Sequence, residues 1–487
     1  MTGPSAPGTT VIRNAAWIVA WDAKESRHVY LKGGDVVFAN GVVTQVGGRY
    51  TGEVDVEMDG SERMVTPGLV NIHSHPTSEP LRKGVTDEIR SPGFFHSSLY
   101  EFLTIFENDP EGLAASLRVA MAELLTSGVT TVVDYSFPFD AWLDVLAESG
   151  IRACVAPMFK DAKWYTNDGH QLQYDWDESG GGRAGFEKAM RTIDLANQHP
   201  SGRLMGMLAP AQIDTCSADL LRDSYDYAQE KNLPWQTHAA QSVNEFQEMI
   251  RRHGRTPVQW MSDIGVLGEH AIIGHGIFLD HHPWVHWSTR EDLRLLADSG
   301  TTVAHCPTVF MRRGITLRTF GGYVREGINM GIGTDTYPHN FLEEMRNVAT
   351  VARTIAETVD DLNTSDIFNA ATVGGARALR RDDIGKLAVG CRADLVCVDL
   401  TAPSMMPVRE PIRSLIYAST DRGIRDVFVD GNQVVKDGAV TTIDLRAALT
   451  ELQAAQERSF SSIPTRDWAG RTVDQMAPMV FETRDSV

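Results

Sequence analysis

The chain lacks any Lys/Arg-rich run, and its 45 basic against 64 acidic residues leave a formal net charge of -19. Binding to a phosphate backbone needs a basic patch, so no nucleic-acid partner is expected. It also lacks any stretch of ~18 consecutive apolar residues, and its opening MTGPSAPGTT has neither the basic start nor the apolar core of a secretory signal. No membrane partner is expected, and a cytoplasmic location is the default expectation. Cysteine is scarce. The five present, Cys154, Cys216, Cys306, Cys391 and Cys397, are odd in number, scattered and without a CxxC pair. They read as reduced thiols, not as a disulfide framework. Three lie in apolar runs, where a free cysteine acts as a small hydrophobe.

Hydrophobic residues at 42% and charged residues at 22% are the ordinary balance of a soluble globular protein, so a large core is available. From about Met64 to Thr336, short Val/Ile/Thr-rich runs alternate with longer amphipathic segments, the pattern of βα units and a parallel sheet. Eight strand candidates follow in order: GLVNIHSH, GVTTVVDYS, IRACVAPMF, RLMGMLAPA, LPWQTHAA, HAIIGHGIFL, TTVAHCP and INMGIGTD. Helical candidates lie between them, among them TREDLRLLADSG, with Thr289 as N-cap and Gly300 as C-cap. Eight repeats over this length predict an α/β fold, a closed (β/α)8 TIM-like barrel. The flanks carry period-2 alternation and Gly/Asn/Asp turns, so both chain ends are expected to meet in one small β-sandwich. The expected division is 1–66 and 385–440 for the sandwich, 67–384 for the barrel, and 441–487 for a C-terminal helix and an apolar arm. The arm suggests packing on its own or another subunit, hence a homo-oligomer.

In a strand, positions i and i+2 share a face, so His73 and His75 can converge on one point at the barrel mouth. His238, His275, His305 and Asp335 sit at or near the ends of later strands, and the C-terminal strand ends of such a barrel open onto one face. Imidazoles with a carboxylate form a ligand set suited to one divalent ion: Zn²⁺ first, with Fe²⁺, Co²⁺ or Mn²⁺ as alternatives. Such an ion would lower the pKa of bound water toward ~7.

The motifs PGLVNIHSH, THAAQ, GHGIFLD, VAHCP and GIGTD, with GKLAVGCRADLVCVD for the return to the sandwich, resemble the amidohydrolase superfamily. More narrowly, they are similar to its mononuclear cytosine deaminase, guanine deaminase and atrazine chlorohydrolase-like branch, from about Val11 to Gly438. The resemblance implies that His73, His75, His238 and Asp335 bind one metal, that His275 lies beside the bound water or substrate, and that Asp335 accepts the water proton. No lysine stands at the end of RLMGMLAPA, where binuclear relatives carry a bridging one, so a single metal is implied.

Gln241 departs from the family pattern, occupying the place of the glutamate that protonates the leaving group in deaminases. An amide can orient and polarise but cannot exchange a proton. The expected chemistry is therefore hydrolytic attack on an electron-poor sp² carbon of a small N-heteroaromatic compound. Halide, nitrite or thiolate leave readily without protonation, while amine release remains open if another acid serves it. Glu245, one helical turn on, either substitutes as that acid or faces solvent, with solvent expected. The same hydroxide would also serve an amide, urea or thiocarbamate hydrolase. A non-catalytic binding barrel is disfavoured because all four ligands are present. Aromatic and imidazole groups expected to contact a small planar substrate are Phe94 and Tyr100 from the insertion after His75, and Tyr337 and His339 after Asp335. His305 either touches substrate or fills the mouth. Asp134 and Asp214 are expected to serve structural hydrogen bonds.

Overall fold

The computed structural model describes residues 8–419 and 421–484. Eight parallel strands close the barrel: Leu69–Asn71, Val129–Ser136, Arg152–Phe159, Leu204–Gly206, Trp235–Ala239, Ala271–His275, Thr302–His305 and Met330–Ile332. Counted in that sequence, their spatial order is 4-3-2-1-8-7-6-5. Bridges Leu208 to Trp235 and Gln212 to His238 close the fourth strand on the fifth. These strands are buried along most of their length, as expected when helices cover the outside and side chains fill the inside.

The two flanks of the chain meet. A four-stranded sheet from Thr9–Arg13, Val36–Ala39, Val42–Val46 and Val56–Asp59 packs on a seven-stranded sheet. In the latter, Arg63–Pro67 pairs antiparallel with Leu395–Asp399. Ile12, Val36 and Phe38 from one sheet and Ile18, Val65, Leu395 and Phe428 from the other share one apolar core.

One ion cluster ties this sandwich to the barrel. Arg152, at the start of the third barrel strand, donates from Nε (2.7 Å) and Nη2 (3.0 Å) to the two carboxylate oxygens of Asp394. Both side chains are at most 2% exposed. Removing one member leaves the other charge buried without its partner, which costs about 3–5 kcal/mol. Arg152→Ala is therefore expected to lower the stability by about that much in chemical denaturation. A loss under about 1 kcal/mol, the value of an exposed pair, would show that water reaches the cluster.

The helix expected at TREDLRLLADSG starts later than predicted, at Asp292, and ends at Gly300 with φ +75°. Thr289 does not cap it, because its hydroxyl donates to Asp280 at 2.8 Å. The Asp280 carboxylate instead accepts the backbone N–H groups of Glu291 and Asp292, satisfying the helix start from outside.

No helix of the described residues is long and apolar enough to cross a membrane.

Candidate metal centre and pocket

His73 and His75 follow the first barrel strand, and the eighth strand is strapped beside them. Asp335 N–H donates to the His73 carbonyl at 2.9 Å, and His75 N–H to the Asp335 carbonyl at 2.8 Å. These bonds hold Asp335 at φ +57°, a left-handed backbone costing about 1–3 kcal/mol that persists only where surroundings over-determine it. Gly333 gives the first strand room, since a Cβ there would lie 2.6 Å from the His73 Cβ.

Three of the imidazoles, those of His73, His75 and His238, are fixed by their Nδ1 atoms. His75 Nδ1 donates to the Tyr135 carbonyl (2.7 Å) and His238 Nδ1 to the Ala211 carbonyl (2.5 Å). His73 Nδ1 donates to Gln236 Oε1 at 2.6 Å, the amide itself being oriented by its N–H donating to the Ile72 carbonyl. Carbonyl oxygens only accept, so in the neutral ring the proton sits on Nδ1 and Nε2 carries the lone pair. Yet His75 Nε2 and His238 Nε2 face each other at 3.2 Å, and His73 Nε2 is buried with no hydrogen-bond partner. Asp335 Oδ1 lies 3.4 Å from His75 Nε2 and 3.6 Å from His73 Nε2.

Lone pairs aimed at one another without a proton repel. Ligands bound at 2.0–2.1 Å in a tetrahedron sit about 3.3 Å apart, so the spacing and donor chemistry fit one divalent cation. Burial holds the His75 imidazolium down to about 4 and that of His275 to about 3, and it drives His238 well below the ordinary value, so all three stay neutral at pH 7. Burial alone would raise the Asp335 carboxyl, but His275 and His73 outweigh it and keep it well below the carboxylate range. His275 Nε2 faces the other Asp335 oxygen, Oδ2, at 3.6 Å.

The centre opens into a cavity of about 440 Å³. His75, His238, His275, Asp335 and Gln241 line it, with Phe137, Phe139, Met158, Trp164 and Phe310 as apolar walls. Lys160 and Arg313 also reach it, and burial lowers the pKa of both. Gln241 is 5% exposed and its Nε2 is buried; burial pushes the neighbouring Glu245 carboxyl well above its ordinary range, and the Gln241 amide is one of the groups that offset this.

The structure brings together His73, His75, His238, His275, Asp335 and Gln241, but not the residues expected to contact substrate. Phe94 and Tyr100 are fully buried one layer back, where Tyr100 packs edge-on against Trp164 at 4.9 Å and its hydroxyl pairs with Ser242. Tyr337 hydrogen-bonds Thr86 at 2.7 Å beneath the Arg312 guanidinium. His339 is 0% exposed beside Glu123, and His305 packs on Phe320. None of these five lines the cavity.

Glu245 does not face solvent: it is 0% exposed, and its carboxylate accepts the backbone N–H groups of Ala240 (2.6 Å) and Gln241 (3.3 Å). It turns back because Ala240 adopts φ +53°, which points these two N–H groups at the helix start. Asp134 binds Trp142 and Ser136, and Asp214 binds Trp164 and Tyr174, both in structural roles. Sequence reasoning missed the wall. Phe137 and Phe139 directly follow the second strand, a position that itself points to the mouth. Trp164 sits on a hairpin, Ala162–Tyr165 with Gln173–Trp176, whose alternation AKWY/QYDW was a readable signal.

A closed barrel with a buried His/His/His/Asp cluster at the C-terminal strand ends defines a metal-dependent hydrolase of the TIM-barrel class. The amidohydrolase family profile matches residues 64–434, and the chain belongs to that family. It is 29% identical to a 5-methylthioadenosine/S-adenosylhomocysteine deaminase of Natronomonas pharaonis over 417 residues, covering 85% of this chain and 90% of the relative. Among solved structures it is similar to an adenosine deaminase of Xanthomonas campestris with bound zinc (TM-score 0.80, 24% identity, 94% of this chain and 100% of that one). It is also similar to the atrazine chlorohydrolase of Arthrobacter aurescens TC1 complexed with zinc (TM-score 0.77, 21% identity, 92% and 100%). At these identities the structural likenesses establish the fold.

Proposed function

We propose that His73, His75, His238 and Asp335 hold one divalent metal, Zn²⁺ first among candidates, and that the enzyme hydrolyses a small N-heteroaromatic compound at an electron-poor sp² carbon. When bound, the ion acts as a Lewis acid and makes hydroxide available near neutral pH. Asp335 accepts the proton of the attacking water, its Oδ2 being oriented toward His275. His275, neutral at pH 7, stands beside that carboxylate and steadies the reacting oxygen. The apolar walls select a planar ring and exclude bulk water.

The observation that supports the leaving-group reading is the placement of Gln241, whose amide cannot exchange a proton, in the cavity wall where a proton-exchanging acid would otherwise stand. Such a wall leaves departure to a stable anion such as halide, nitrite or thiolate. Glu245 holds the backbone of Gln241 and does not line the cavity. Amine release, as the names of the deaminase relatives suggest, is the second reading, and amide, urea or thiocarbamate hydrolysis the third.

A panel of chloro- and amino-substituted triazines and purines, a phenylurea and a thiocarbamate separates the three. Wild type is expected to favour chloride over amine release. Gln241→Glu is expected to raise amine release by about 10²-fold, the lower range for a positioned general acid. Faster amine than chloride release by wild type, with no gain in the variant, would refute this account of Gln241.

A further inference from the structure

Residues 76–112, between the first barrel strand and the helix Leu113–Thr126, form only three short 3-10 turns. Yet Ser97, Leu99, Leu103, Thr104, Glu107 and Asn108 from this lid line the cavity. An irregular segment needs external anchors to keep a fixed height above a site. They come from the other end of the chain.

The helix Leu445–Phe460 lies along Leu113–Thr126, so close that a Cβ on Gly112 would be 2.2 Å from that of Ala455. Gln456 donates to the carbonyls of Leu81 and Lys83, and Arg458 donates to Asp109 at 2.8 Å. Beyond this helix, Ile463 joins Val85, Ile89, Phe102, Ile105 and Phe106 in a separate apolar cluster.

Next to Phe102 stands Glu101, a lid carboxylate only 5% exposed. Its Oε1 accepts Arg471 Nη2 at 2.9 Å and Trp468 Nε1 at 3.2 Å, and its Oε2 accepts the Ser91 hydroxyl at 2.6 Å. Arg471 is itself aimed by Asp467, which accepts its Nε and Nη2. Arg471 also stacks on Phe102 and Trp468 at 5.2 and 5.1 Å. Trp468 in turn abuts Gly169, in the turn of the hairpin that carries Trp164. One arm therefore touches both segments that roof the cavity.

We infer that the C-terminal arm is a positioning element of the substrate pocket: Arg471 and Trp468, acting through Glu101, hold the 91–108 lid and the Trp164 hairpin at the height that fits substrate. Its effect on affinity rests on the reading of the cavity as the active site; its effect on the lid does not. Neither residue lines the cavity, so loss of the clamp should weaken substrate binding and leave chemistry alone.

The test uses full-length metal-loaded enzyme with Arg471→Ala, and Arg471→Lys as the conservative variant. Backbone hydrogen exchange in 91–108 is expected to quicken about tenfold in the alanine variant, the loss of roughly one charged hydrogen bond, with Leu113–Thr126 and metal content unchanged. For the panel member that wild type turns over, KM is expected to rise about tenfold with kcat within about twofold. Lysine should restore most of the protection. Unchanged exchange in 91–108 overturns the inference whatever the substrate. Faster exchange with unaltered KM, or a fall in kcat alone, overturns the positioning role. If wild type turns over no panel member, the functional reading fails while exchange still decides whether the arm holds the lid.

Discussion

Stripping the protein with a chelator is expected to abolish activity, by a factor on the order of 10³ or more, and Zn²⁺, Co²⁺ or Fe²⁺ should restore it. With the Nδ1 atoms of His73, His75 and His238 committed to carbonyl oxygens, the metal-free centre leaves the Nε2 atoms of His75 and His238 facing each other at 3.2 Å. A cation relieves that repulsion in the folded state alone, so it also stabilises by mass action, by about 2.7 kcal/mol at a hundredfold excess over its Kd. Metal addition should thus raise the thermal midpoint of the stripped protein, a readout that needs no substrate. Full activity in a sample shown by elemental analysis to hold no metal would sink the proposed chemistry.

Asp335→Asn should lower kcat by about 10²–10⁴-fold, the usual share of a positioned acid–base group. The substitution keeps the size and the backbone straps to His73 and His75 but removes the carboxylate that faces both the imidazole nitrogens and His275. Asparagine is among the residues that tolerate a left-handed backbone, so φ +57° is no obstacle and folding should survive. Steady-state kinetics with metal content measured alongside separate a lost base from a lost ion. A kcat within tenfold of wild type at full metal occupancy would transfer the proton-accepting role to another group.

The barrel and its centre were legible in the sequence because both rest on short-range regularities. The i, i+2 spacing of His73 and His75 shares a strand face, and the later strands end at recognisable Thr-His and Gly-Thr-Asp punctuation. The pocket wall obeys no such rule. Phe94, Tyr100 and Trp164 all lie in irregular or hairpin segments, and only tertiary packing decides that Trp164 faces the cavity while the other two support it. Glu245 is a further case. At four residues past Gln241 it should share an exposed helix face, but a left-handed Ala240 offers it two N–H groups that periodicity cannot anticipate. The Glu101 clamp was hidden because its partners are 367 and 370 residues away.

The pairing of Arg63–Pro67 with Leu395–Asp399 has a consequence for biosynthesis. Until the ribosome has added about four fifths of the chain, the early strand has no neighbour on that edge, and its row of open N–H and C=O groups is exposed to other nascent molecules. Such distant contacts form late and slowly. Premature termination between Ile332 and Leu395 should yield insoluble fragments even though every barrel strand has already been made.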